Sequence, residues 1–453
     1  MRKIVFVLIA LFMTGTVFTG CDSFDSSPTA NAGGTGAGPH GGGGGGGATP
    51  GGSQDFSYIR DLIDDGRVPQ ADNFLVEGIY SEYDLPIYGE DPEEPFVIRT
   101  AHGYSAEHGI PGGGLYAQIG LSSNIDIENF QRDPLNLSVV VDKSGSMIDR
   151  IGLVRTALNA LIDKLNPNDL LSIVLFNGEM SVLLQPSAVT DKATLKVLIN
   201  SIQSDGRTNI ETGLLQGYAF VRNNLEQGDR TDRVMLLTDA HPNTGNTAPG
   251  NFKEIVNEGA EAGIGLIGYG VGVIYDQDLM DFIATVKLAT YNYISSNEDI
   301  GDIFDDDFKF IFSPLAVNMK LKVEPTQWFD CTAAYGFPGE DMGAPEFEVS
   351  TVFLSRNRGA LMLKFSPVNV NYPILLKDEH IADVSLSYYD AEGNYFDKSL
   401  EVKYTGDNVL DTDDSYFEQE GVRLTIALTR EVVGLIDICT DYWEKSKQCT
   451  KFN

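Results

Sequence analysis

The segment Asp142-Lys143-Ser144-Gly145-Ser146-Met147 sets one carboxylate and two hydroxyls in a single tight stretch, directly behind the apolar run Leu135 to Val141. Oxygen donors of this kind suit a hard divalent cation such as Mg²⁺. The same residue types also build turns and cap helices, so the segment alone reads equally as a turn that starts the following helix. Other chemistries find less support. Gly263-Ile264-Gly265-Leu266-Ile267-Gly268 has the spacing of a dinucleotide-binding turn, but it lies in an apolar run that follows a helical segment, where glycines serve close packing. His102, Glu107 and His108 stand in Gly-containing sequence with no helical face and read as loop residues, as does His241. Asp407, Asp411, Asp413, Asp414, Glu418 and Glu420 lack the glycine of an EF-hand loop and read as a solvated stretch. No Gly-x-Ser-x-Gly elbow surrounds the serines and no histidine base is nominated, so no catalytic residue is expected.

From 135 to 314 the chain alternates strand-like and helical runs, the pattern of an α/β fold with a doubly wound, mainly parallel sheet. Leu135 to Val141 reads as a buried strand, and Ile151, Val154, Leu158, Leu161, Ile162 and Leu165 as a helix stopped by Asn166-Pro167. Further strands are expected at Leu170 to Phe176, Val234 to Leu237, Ile264 to Val271 and Tyr291 to Ile294. Asp142 then falls at the carboxyl edge of the sheet, where ligand sites of open α/β sheets lie.

The flanks 72–130 and 315–405 are rich in alternating β-branched and aromatic residues, and Asp390-Ala391-Glu392-Gly393-Asn394 reads as a hairpin turn between two such runs. One arrangement is a β-sandwich assembled from both flanks with the α/β domain inserted; two separate β-pieces is the other. Residues 416–443 carry helical spacing in Val422, Ile426, Val433 and Ile436. Cys439 and Cys449 near the end are either a disulfide pair or free thiols.

At the start, Arg2 and Lys3 precede the apolar run Ile4 to Met13, the layout of an export signal; Thr14, Gly15, Thr16, Thr19 and Gly20 dilute it too far for a membrane span. Phe18-Thr19-Gly20-Cys21 resembles the bacterial lipobox, with Phe18 in place of the usual Leu, which implies lipidation at Cys21 and anchorage to a bacterial membrane. Residues 22–55, with seven consecutive glycines at Gly41 to Gly47, read as a flexible linker. The 65 acidic and 32 basic residues leave a net charge of −33, which excludes nucleic acid as a partner.

Asp142-x-Ser144-x-Ser146 behind a buried strand resembles the metal-ion-dependent adhesion site of von Willebrand factor type A domains. Thr208, in Asp205-Gly206-Arg207-Thr208-Asn209-Ile210, and Asp239, in Leu236-Leu237-Thr238-Asp239, stand where that family has its second and third loops. The resemblance covers 135–314, with Ala240 where the family often has Gly and Arg207 where a small residue is common. The β-flanked arrangement also resembles bacterial surface proteins and inter-alpha-trypsin-inhibitor heavy chains. The resemblance implies that Ser144 and Ser146 bind Mg²⁺ (or Mn²⁺ or Ca²⁺) through their hydroxyls, Thr208 directly or through water, and Asp142 and Asp239 largely through water. It further implies a partner protein that offers a carboxylate to the ion, in adhesion or assembly at the cell envelope. A metal-dependent hydrolase and a structural scaffold with an incidental ion are the alternative readings.

Overall fold

The computed structural model describes residues 46–53, 57–89, 94–105, 114–225, 229–239, 249–272, 282–283, 285–306, 308–337, 346–369, 377–406 and 415–450. The expected export signal, Cys21 and most of the expected linker lie outside the described residues.

The α/β region is built on a seven-stranded sheet. Its strands are β2 (Gly52–Ser53), β5 (Leu135–Asp142), β6 (Leu170–Phe176), β7 (Met180–Ala188), β8 (Thr231–Thr238), β9 (Gly265–Val271) and β10 (Thr290–Ile294), in the order β2-β10-β9-β8-β5-β6-β7. All neighbours are parallel except β6 and β7. The strands are apolar on both sides because helices cover both faces. Leu137, Val139 and Val141 pack with α3 (Ile151–Lys164) and α4 (Lys192–Asn200), together with Ile300 of α7 (Asn297–Gly301) and Phe304. Val140 and Val174 pack with α5 (Ile210–Arg222) and α6 (Pro249–Glu261) on the other face. The glycines at 265, 268 and 270 lie within β9, and a Cβ on Gly268 or Gly270 would meet the Tyr291 ring. Close packing is therefore their role. At the amino end of the sheet the buried Asp169 accepts both terminal nitrogens of Arg132 at 2.9 and 2.6 Å, and the Leu135 N–H at 2.8 Å. This ion pair fixes where β5 and β6 start.

The second layer is antiparallel and draws on both flanks. Before the α/β region come β1 (Gly47–Pro50), β3 (Phe96–Ser105) and β4 (Gly114–Ser123). After it come β11 (Pro314–Pro325), β12 (Phe329–Tyr335), β13 (Glu346–Ser355), β14 (Gly359–Pro367), β15 (Glu379–Asp390), β16 (Tyr395–Tyr404) and β17 (Tyr416–Phe417). The ten strands form one sheet in which β4 pairs with β14, and β1 with β13, so the α/β region is inserted into a single β unit. Its halves fold over one shared core, where the rings of Phe96 and Tyr388 meet edge to face at 5.2 Å. The Asp390 to Asn394 segment is the expected turn: the Asp390 carboxylate accepts the N–H groups of Glu392 and Asn394 at 2.9 and 2.8 Å, and Gly393 has φ +86°.

Two expectations are corrected. Residues 47–53, read as linker, are strands: β1 joins the antiparallel sheet and β2 the parallel one, with Gly52 opposite Thr290 and Ser53 opposite Tyr291. Strand pairing needs only backbone groups, and a Cβ on Gly47 would run into the Asn357 carbonyl, so the composition that cannot build a core still fits between two sheets. Residues 72–130 are not uniformly β. The chain forms α1 (Ser57–Asp64), a short 3₁₀ turn at Ala71–Asn73 and α2 (Val76–Ser81). Phe74, Val76, Ile79 and Tyr80 are held there by burial against Tyr116 and Met362 and against Val422 and Ile426 of α8 (Glu420–Thr450). Tertiary packing overrides their strand propensity. The choice left open for Cys439 and Cys449 is decided by the backbone: both lie on α8, where ten residues at 1.5 Å rise put their Cα atoms about 15 Å apart, beyond the span of a disulfide. Cys439 is a buried free thiol.

Candidate metal centre

Three loops meet at the carboxyl ends of β5 and β8. Asp142 ends β5 fully buried; its Oδ1 accepts the Ser144 backbone N–H at 2.8 Å and its Oδ2 accepts the Thr238 hydroxyl at 2.8 Å. Because Thr238 is the last residue of β8, this bond ties the two strand ends together and sets Asp239, also fully buried, beside the site. The hydroxyls of Ser144 and Ser146 lie 3.0 Å apart. Ser144 is buried, and Ser146 stands exposed on the 3₁₀ turn Gly145–Asp149.

The loop carrying Thr208 is clasped to the first. Gly145 N–H donates to the Gly206 carbonyl at 2.9 Å, Asp205 N–H to the Lys143 carbonyl at 2.7 Å, and Lys143 Nζ to Asp205 Oδ1 at 2.6 Å. Asn177, after β6, donates its amide to Asp205 at 2.7 Å and accepts the Asn209 N–H at 2.7 Å. Gly206 sits at φ +78°, the left-handed turn that glycine adopts without strain. Thr208 is thereby buried just ahead of α5.

Burial pushes the Asp142 carboxyl up to about 6, against the hydrogen bonds from Ser144 and Thr238 and with a further push from the Asp239 charge. Asp239 Oδ2 accepts Arg150 Nη1 at 2.8 Å, whereas its Oδ1 is buried without a hydrogen-bond partner among the described residues. An orphaned, buried carboxylate oxygen is costly to leave unmet. With the buried carboxylates of Asp142 and Asp239 and the hydroxyls of Ser144, Ser146 and Thr208 carried on three adjoining loops, the donor set fits a hard divalent cation.

All five expected residues, Asp142, Ser144, Ser146, Thr208 and Asp239, stand on these three loops, while Ala240 and His241 lie outside the described residues. Arg207 is exposed. Sequence reasoning missed Thr238, Asn177 and Arg150, whose partners are set by the fold; only Arg150, one turn beyond the serines, carried a local signal in its charge. His102 departs from its loop reading: it is buried on β3, where Glu418 accepts from its backbone N–H at 2.9 Å and lies 3.1 Å from Nδ1. Glu107, His108 and the acidic residues at 407, 411, 413 and 414 lie outside the described residues. Among the described residues no group of three or more His, Cys, Asp and Glu is placed to hold a metal.

A family profile for the von Willebrand factor type A domain matches residues 136–306. The chain carries a von Willebrand factor type A domain. The type A domain and its neighbouring sequence are similar to YfbK, an uncharacterized protein of Escherichia coli (strain K12), at 28% identity over 192 residues, covering 42% of this chain and 33% of that one. They are also similar to inter-alpha-trypsin inhibitor heavy chain H3 of Mesocricetus auratus, at 26% identity over 254 residues, covering 54% of this chain and 27% of that one. The chain thus spans about a third or less of the length of these two relatives. Among solved structures, a von Willebrand factor type A protein of Catenulispora acidiphila aligns with a TM-score of 0.45 and 13% identity over 71% of this chain and 76% of that one.

Proposed function

We propose that the type A domain is a divalent-cation-dependent protein-binding module, of the adhesion or assembly kind, exported and tethered to the cell envelope through a lipid on Cys21. The observation that carries the metal reading is the buried, half-satisfied Asp239 carboxylate set beside Asp142 and the paired serine hydroxyls. Ser144, Ser146 and Thr208 would hold the ion through neutral oxygens, with Asp142 and Asp239 behind them. Bound there, a Mg²⁺ or Mn²⁺ ion would supply an electrophilic coordination position for a partner's carboxylate. The chain's own residues do the rest. Thr238 and the Ser144 N–H aim Asp142, the Lys143–Asp205 and Asn177 bonds hold the Thr208 loop closed, and exposed Arg207 stands on the rim where it meets an approaching acidic side chain. With a net charge of −33 the protein as a whole repels acidic partners, and the bound ion would supply a local positive charge that draws such a partner to the site. Similarity to an inter-alpha-trypsin inhibitor heavy chain supports a binding role rather than turnover.

The test is capture from envelope extract with the purified protein in Mg²⁺, in EDTA, and as Asp142→Ala. A partner retained only by the wild type in Mg²⁺ is expected; identical capture in all three overturns the reading. Palmitate labelling in the producing cell, lost in Cys21→Ser, tests the anchor.

A further inference from the structure

We propose that Arg150 is the resident counter-cation of the candidate metal centre: it holds Asp239 when no ion is bound and opposes divalent-ion binding through the same carboxylate. The inference rests on the metal-site reading above and deepens it. Arg150 caps α3 and reaches from the first loop to the third, with Nη1 2.8 Å from Asp239 Oδ2. Its side chain is 19% exposed and that of Asp239 0%, so the pair is largely withdrawn from water. Asp239 thus faces this cation, with the second buried carboxylate, Asp142, close enough to feel the Asp239 charge. Removing the cation from such a pair strands a buried charge, which costs far more than breaking a surface ion pair.

The fold reserves the space for this arginine. At the end of β9, Gly272 has φ +89°, a conformation side chains rarely adopt, and a Cβ there would run into the Arg150 guanidinium. The Gly272 N–H is fixed to the Ile294 carbonyl at 3.0 Å, so the lane is set by two strands of the parallel sheet. Arg150 is therefore placed by the backbone and is not a mobile surface residue that happens to touch Asp239.

The charges give the direction of the effect. Asp142 and Asp239 together carry −2 when ionised, which a divalent ion cancels; with Arg150 retained, the loaded site has a surplus of +1. Like charges at this range in a partly dry site repel by several-fold more than in water. Arg150 thus lowers the affinity for the ion alone, and a carboxylate that joins the ion relieves the surplus. By reciprocity, ion and carboxylate each strengthen the binding of the other.

The experiment is calorimetric titration of Mg²⁺ into the full chain as wild type, Arg150→Gln and Arg150→Lys, with melting temperatures in EDTA. Arg150→Gln is expected to bind Mg²⁺ about tenfold tighter or more, and to melt lower in EDTA, so that its Mg²⁺-induced rise in melting temperature is larger than the wild type's. Arg150→Lys, which keeps the charge, should stay near wild type, and it carries the comparison if the glutamine variant does not fold: with Arg150→Lys alone, acetate should tighten Mg²⁺ binding as in the wild type. Mg²⁺ affinity that is unchanged or weaker in folded Arg150→Gln overturns the inference and leaves the metal site standing, as does Mg²⁺ binding by wild type and Arg150→Lys that ignores acetate. Absence of Mg²⁺ binding in every form overturns the metal-site reading itself.

Discussion

The two sheets of this protein are built on opposite plans. The parallel sheet comes from one nearly continuous stretch, and its central strands are buried on both faces, so Leu135 to Asp142 and Val234 to Thr238 are unbroken buried runs. The antiparallel sheet gathers strands from either side of that stretch, and much of it is buried on one face only. In β11, Met319, Leu321 and Val323 point inward while Lys320, Lys322 and Glu324 point to water. The first plan delivers loops from several strands to one edge, where chemistry collects; the second closes the ends of the chain around it and shields its edge strand β16 with Lys398, Glu401 and Lys403. The candidate site thus sits on the region whose neighbours are set locally, on a frame completed by distant segments.

Breaking the base of the parallel sheet should cost most. Asp169→Ala leaves Arg132 buried without its partner and the Leu135 N–H without an acceptor, and thermal denaturation should show a loss of about 3–5 kcal/mol. If the antiparallel unit keeps its own cooperative transition in that variant, the two plans are energetically separate; a single lowered transition would show that they fold as one. Next comes removal of the ion. At a Mg²⁺ concentration one hundred times its Kd, stability should rise by about 2.7 kcal/mol over EDTA, and Asp142→Ala should abolish that increment while leaving the antiparallel sheet intact by hydrogen exchange. Gly47→Val attacks the other plan: a Cβ collides with Asn357, and a loss of about 1–3 kcal/mol in urea unfolding is expected, with faster exchange in both β13 and β10. Exchange confined to β13 would mean that β1 and β2 act independently. The smallest effect is Asp390→Ala, which removes the turn hydrogen bonds from the Glu392 and Asn394 N–H groups and from the Asn394 amide and should cost about 1 kcal/mol, confined to β15 and β16.

The same contrast explains what the sequence discloses. The parallel strands are legible as continuous apolar runs, and Asp142, Ser144, Ser146 and Asp239 because they follow two of those runs at once; Thr208 is legible in the Gly206-containing turn that opens a helix. The β15–β16 hairpin is legible through its Asp-Gly-Asn turn chemistry. The strands at 47–53 are not, since glycines that permit close backbone approach are indistinguishable in composition from glycines that confer flexibility. Nor is α2, where Val76, Ile79 and Tyr80 favour a strand in isolation and only contact with α8 decides otherwise. Arg150 escapes detection because its partner lies 89 residues away and its lane is opened by Gly272 on another strand.

The pairing of Gly52 and Ser53 with the first residues of β10 gives the molecule a polarity. Since the strands of that sheet run in one direction, apart from β7, the chain arrives at the foot of the type A domain, while the three loops crown its opposite end. With the proposed lipid anchor ahead of Gly46, the tether would pull from below and a bound partner from above. Both sheets grip the intervening segment, so tension between tether and ligand would be divided across two hydrogen-bonded seams before it reached the interior of either.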